Sequence, residues 1–234
     1  MADNQTWAVL PVKPLDEAKS RLDSVLSGKE RHDLARTLLL HSLETLKACD
    51  AIDHILVVSA DPEALVLADQ HGIETLPETR TGLNQALVQA RRHAMDHGAQ
   101  TLLVLASDLP LVATTDIDAI FAAGDASVVI APDRRRQGTN ALLLQPPDAI
   151  AFAFGEGSFE RHVDLALAAG AIAFEMSLPG LAFDLDLSED WHDLRSLGWR
   201  PDAASGKRDR AWAPPGPEAP GKKPPTTHVP RQSA

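Results

Sequence analysis

TLLVLASD, residues 101–108, is apolar almost to its end and closes on a carboxylate. A strand without polar alternation is one buried on both faces, as in the centre of a parallel sheet. Asp108, at the end of such a strand, is costly to bury unless it is paired or binds a cation. It could equally serve as a turn or cap residue.

Working outward, strand-like and helix-like segments alternate. TWAVLPV (6–12) and HILVVSA (54–60) read as buried strands, and IETLP (73–77) as a shorter one. Ser27 and Glu30 form a capping-box pattern before a helix predicted to run to about Ala48. Asp61-Pro62 reads as an N-cap with proline in the first turn. A further helix is predicted from Leu83 to His97, closed by Gly98, and another after Thr115. ASVVIA and NALLL are strands. Helical stretches are predicted near 147–154 and 158–169, then the strand AIAFEMS, then a helix capped by Ser188. Such alternation predicts an α/β fold, a mostly parallel central sheet flanked by helices in three layers. Ligands of such sheets bind at the carboxyl ends of strands, near a reversal in strand order.

Composition narrows the function. The chain has 234 residues and a formal net charge of −11, which disfavours a broad nucleic-acid footprint. No apolar run is long enough to span a bilayer, and the first residues lack signal-peptide order, so a cytoplasmic location is expected. The single cysteine, Cys49, is expected in the core. From Pro201 onward the chain holds eight of its 17 prolines and few large apolar residues, so 1–200 is expected to fold and 201–234 to be a disordered tail. Neither G-x-G-x-x-G nor G-x-x-x-x-G-K-[ST] occurs, so dinucleotide and P-loop readings lack support.

The candidate site residues follow the strands. Lys13, Lys19 and Arg21 after the first strand could hold phosphates or form a solvated face. Asp184 and Asp186 in FDLDLSED are two apart and would face one side if extended, suiting a hard cation such as Mg²⁺. A solvent-facing edge is the plainer alternative. Gly155, Gly157 and Ser158 precede a helix whose N-terminus could take an anion or simply be capped. His162, on that helix, reads as a surface residue. The loop DRRRQGT (133–139) places Arg134, Arg135 and Arg136 beside Thr139. Consecutive arginines cannot all face one ligand, so one at most is expected to touch it, the rest being solvated.

Six segments in this order, LPVKPLDEAKSRL, TGLNQAL, LASDLPL, APDRRRQGTNALL, FGEGSFERH and LAFDLDLSED, resemble the CofC/FbiD guanylyltransferases of coenzyme F-420 biosynthesis. The resemblance covers about Trp7 to Leu197. It implies a nucleotidyltransferase-like fold and transfer of GMP from GTP to a small phosphorylated acid, with release of pyrophosphate. The family's acceptors are 2-phospho-L-lactate, phosphoenolpyruvate and 3-phospho-D-glycerate. By the same resemblance Asp108, Asp184 and Asp186 would bind Mg²⁺, and Thr139, Gly155 and Ser158 the acceptor. Lys13 would match the first-loop lysine and Asn84 would lie near the base. The arginine-rich loop departs from the family pattern. An arginine there could reach a more distant anion, which leans acceptor choice toward 3-phosphoglycerate or phosphoenolpyruvate. A sugar-phosphate or molybdopterin nucleotidyltransferase, or a non-catalytic nucleotide-binding protein, are the alternatives. Homodimer formation is left open.

Overall fold

A computed structural model describes residues 5–124 and 126–201. The tail expected over 201–234 therefore lies, but for Pro201, outside the described residues. Seven strands form one sheet in the order β3-β2-β1-β4-β6-β5-β7. They are β1 (Gln5–Val12), β2 (His54–Ser59), β3 (Glu74–Pro77), β4 (Ala99–Leu105), β5 (Val128–Pro132), β6 (Thr139–Leu144) and β7 (Ala173–Glu175). β1 pairs in parallel with β2 and with β4, so strand order reverses between β1 and β4. β6 runs antiparallel to both its neighbours, while β5 and β7 pair in parallel. The sheet is mostly parallel, and the arginine loop is the tip of the β5–β6 hairpin.

Period-2 alternation along β1 explains the layering. Ala8 and Leu10 pack on one face with α1 (Gly28–Lys47), α2 (Pro62–Gln70) and α4 (Thr114–Phe121). Trp7 and Val9 pack on the other with α3 (Leu83–Asp96) and α5 (Ser158–Ala168). Both faces are apolar because both are covered. A third cluster joins Leu22, Leu34, Leu38, Phe183, Leu185, Leu194 and Trp199. It fastens the segment between α6 (Pro179–Ala182) and α7 (Ser188–Ser196) to the body. Cys49 is buried, as expected. No helix among the described residues is long and apolar enough to cross a membrane.

Local signals set the starts of α1 and α2. Ser27 and Glu30 make the reciprocal capping bonds, and Asp61 caps α2 ahead of Pro62. Two expectations are corrected. Residues 147–154 form no helix: Ile150 and Phe152 are buried two apart, an extended-chain spacing, and follow two prolines. Ser188 does not cap α7. Leu187 precedes the helix, and the Asp190 side chain accepts from the Leu187 N–H.

Candidate active site

A cleft of about 520 Å³ opens at the carboxyl ends of β1 and β4, where strand order reverses. Lys13, Lys19, Asp108, Thr139 and Asp186 line it. Thr139 reaches this end because β6 is antiparallel, so its first residue lies level with the last residues of β1 and β4. A hollow at the other end of the sheet, around Lys47, His54 and Glu74, holds none of the predicted residues.

The acidic residues converge with a lysine. Lys19 Nζ donates to Asp108 Oδ2 at 2.7 Å and to Asp186 Oδ1 at 3.2 Å. Burial opposes its ammonium, but the attraction of Asp108 and Asp186 outweighs this and raises its pKa. Lys19 also holds a left-handed backbone (φ 59°), unusual for a residue with a Cβ. Asp184 lies deeper. Burial, reinforced by Asp108 and Asp186, pushes its carboxyl up to about 6. Its Oδ1 is buried without a hydrogen-bond partner among the described residues. The Leu185 N–H donates to the Asp108 carbonyl at 3.2 Å and ties the two segments together. Residues 183–187 belong to no strand, with Phe183 and Leu187 in extended conformation at either end. Among the described residues no three His, Cys, Asp or Glu side chains form a ready-made metal cage, and the Lys19 ammonium stands between two of the aspartates. An orphaned oxygen, two neighbouring carboxylates and a raised pKa suit a hard divalent cation, whose ligands are oxygens. Asp108, Asp184 and Asp186 are the residues that would hold it.

The arginines have a different employment from the one expected. Arg134 and Arg135 both donate to Asp190 Oδ1, Arg135 at 2.7 Å, and Arg134 also reaches Asp193 at 3.0 Å. Arg136 pairs with Glu175. None of the three lines the cleft. Asp190 is fully buried, and its second oxygen accepts from the backbone N–H groups of Asp186 (2.9 Å) and Leu187 (2.7 Å). Burial works against its charge, yet the hydrogen bonds from Leu187 and Arg135 prevail and hold its carboxyl below the usual range. The Arg134 N–H also donates to the Ala182 carbonyl at 2.8 Å. The loop is therefore a clamp on the chain that carries Asp184 and Asp186.

Thr139 and Ser158 are both buried and in contact, Ser158 Oγ donating to Thr139 Oγ1 at 3.3 Å. Gly155 and Gly157 have positive φ (117° and 69°), a backbone that favours glycine, and they turn the chain into α5 beneath Thr139. His162 is not at the surface. It is fully buried, with Nδ1 2.9 Å from Thr139 Oγ1 and Nε2 accepting from the Ala153 N–H at 3.0 Å. Burial, helped by the Arg161 charge, lowers its pKa to about 4, so the ring is neutral. Lys13 is exposed at the lip of the cleft, whereas Arg21 is exposed and lines none of it. Asn84 spends both ends of its amide on the Phe154 backbone, at 3.1 and 2.9 Å, and does not line the cleft. Neither Asp190 nor His162 was legible in the sequence as a site-building residue. Their partners are 55 and 23 positions away.

Comparison with known proteins is consistent with this geometry. Residues 6–194 match the family described as guanylyl transferase CofC like. The phosphoenolpyruvate guanylyltransferase of Sphaerobacter thermophilus is 44% identical, covering 81% of this chain and 92% of that protein. The 3-phospho-D-glycerate guanylyltransferase of Colwellia psychrerythraea is 31% identical, covering 82% and 92%. Among solved structures, a nucleotidyl transferase from Methanothermobacter superposes with a TM-score of 0.61 at 16% identity, covering 82% of this chain and 97% of that one. A CMP:2-keto-3-deoxy-manno-octonic acid synthetase does so at 0.54 and 13% identity, covering 83% and 98%. These two show the nucleotidyltransferase-like fold. On the strength of the family match and of relatives covered nearly end to end, the chain belongs to the CofC-like guanylyl transferase family.

Proposed function

We propose that this protein transfers GMP from GTP to a small phosphorylated carboxylic acid, releasing pyrophosphate, and that it serves coenzyme F-420 biosynthesis. Phosphoenolpyruvate is the first acceptor to test, and 3-phospho-D-glycerate the second, because relatives carry those names. The observation that carries the reading is the incomplete acidic cluster around Asp184, open to a cleft that also presents Thr139.

The chemistry is a displacement at phosphorus. A phosphate oxygen of the acceptor forms a bond to the α-phosphorus of GTP, and the bond to the bridging oxygen of pyrophosphate breaks. A phosphate monoester is largely ionised at neutral pH, with a second pKa of about 6, so no strong base is required. Nucleophile and electrophile are both anionic, and the work of the site is to hold them in line and offset their repulsion. Mg²⁺ bound by Asp108, Asp184 and Asp186 would supply positive charge to the phosphate oxygens. Lys13, at the lip, is placed to pair with the triphosphate. Lys19 holds Asp108 and Asp186 in register. Thr139 donates to the acceptor, backed by Ser158 and the turn at Gly155.

Because Asn84 bonds the Phe154 backbone, a second residue is proposed to read the base. Glu78, one position past β3, lines the side of the cleft away from Thr139, and burial raises its carboxyl. Guanine presents two adjacent N–H donors, which a carboxylate can accept together. Adenine lacks that pair and would leave the carboxylate unmatched, a strong discriminator.

The test is to incubate the protein with GTP, Mg²⁺ and each of the three acceptors and to measure pyrophosphate. GTP-dependent release with one acceptor supports the reading. Release only with a sugar phosphate or a molybdopterin acceptor would assign another nucleotidyltransferase, and none with any acceptor would favour a binding protein.

A further inference from the structure

Behind Thr139 lies a hydrogen-bond chain whose direction the geometry sets. The Ala153 N–H can only donate, and it points at His162 Nε2 (3.0 Å), so that nitrogen carries a lone pair. The ring is enclosed and stacks edge-on against Phe154, 4.8 Å between centroids. A neutral imidazole has one proton, which must then sit on Nδ1. Nδ1–H therefore donates to Thr139 Oγ1 at 2.9 Å. Ser158 Oγ donates to the same oxygen at 3.3 Å. With His162 and Ser158 both donating, both lone pairs of the threonine hydroxyl are engaged and its own proton is free for an acceptor in the cleft. Thr139 lines the cleft.

We infer that His162 is a positioning residue that compels the Thr139 hydroxyl to act as a donor into the cleft, toward an anionic oxygen of the phosphorylated acid. The inference rests on the proposed acceptor site. A free hydroxyl can donate or accept, whereas this one selects an acceptor, and an ionised phosphate or carboxylate oxygen only accepts and does so most strongly. The histidine achieves this without touching substrate, from 23 residues along the chain.

Two variants separate positioning from packing. Asparagine at 162 can place an N–H where Nδ1 stood, while glutamine can place an acceptor where Nε2 stood but offers Thr139 no equivalent donor. His162→Gln should raise the acceptor KM about tenfold, the loss of one hydrogen bond to a charged group, with the GTP KM within about twofold of wild type. His162→Asn should recover most of that loss. Equal damage in both variants, or an equal rise in the KM of GTP, would overturn the inference. A second readout needs no turnover: the ¹⁵N ring resonances of His162, identified by their absence in His162→Gln, should report protonated Nδ1 and bare Nε2 at neutral pH. The opposite tautomer sinks the inference. Absence of any transfer by the wild-type protein would instead remove the proposed function, and the tautomer would still decide the direction of the chain.

Discussion

Two charged clusters meet on residues 183–190, and they differ in how fully they are satisfied. Around Asp190 every carboxylate oxygen has its donors: two arginines on one and two backbone N–H groups on the other. Around Asp184 one buried oxygen has none, and two further carboxylates crowd it. Both clusters are on the same few residues of chain, and both use cations brought from distant segments. A completed cluster holds shape. An incomplete one holds potential for a ligand, because the missing charge must come from outside. The contrast teaches that abundance of charge is a poor guide to a site. The arginine loop is the more charged sequence, and it is the scaffold.

Substitutions can break this contrast at either end. Asp108→Asn or Asp186→Asn should lower turnover about a thousandfold, near 4 kcal/mol, with the melting temperature little changed. Near-normal turnover in both would show that the open cluster is not where charge is supplied. Asp190→Ala should act the other way, on stability first. It strands two arginines and two backbone donors, and should cost about 2–4 kcal/mol in denaturant melts. That is somewhat below a fully buried pair, because both arginines are about one-third exposed.

Asp184→Asn sharpens the comparison by its sign. A carboxyl with a folded pKa of about 6 and an unfolded value near 3.8 opposes folding when ionised. The penalty grows as pH rises from about 4 to 6 and is complete at pH 7. Removing the charge should therefore stabilise the protein in chelator at pH 7 by about 1–3 kcal/mol while abolishing the gain in melting temperature from added Mg²⁺. A loss of stability in chelator would mean that Asp184 is already paired. The smallest effect belongs to Arg136→Ala, at the exposed pair with Glu175: under about 1 kcal/mol and no change in the acceptor KM. A large rise in that KM would restore the loop to the acceptor site.

Much of this was legible. Asp108 stood out because a buried strand cannot end in a carboxylate without reason, and the 3.6- and 2-residue periods placed most helices and the layered sheet. Asp184 and Asp186 were singled out by spacing, although the segment that carries them joins no sheet. What was missed is long-range. No local pattern says that Arg135 will meet Asp190, or that His162 will turn inward against Thr139. The bonds of Asn84 to the Phe154 backbone were not legible either, because a resemblance transfers position along the chain but not the partner of a side chain. Residues 147–154 were misread because a short apolar run fits a buried helix as well as an extended segment.

The segment 183–187 belongs to no strand, so apart from the Leu185 N–H bond to the Asp108 carbonyl its backbone order rests on side chains. Its amides at Asp186 and Leu187 share one acceptor oxygen, and the other oxygen of that carboxylate holds the tip of the β5–β6 hairpin. The hairpin tip and the acidic segment thus form one cooperative unit for opening. Their amide protons should exchange with solvent at a common free energy, well below that of β1 and β4, and a ligand that closes the acidic cluster should slow exchange at the hairpin tip, which it never touches.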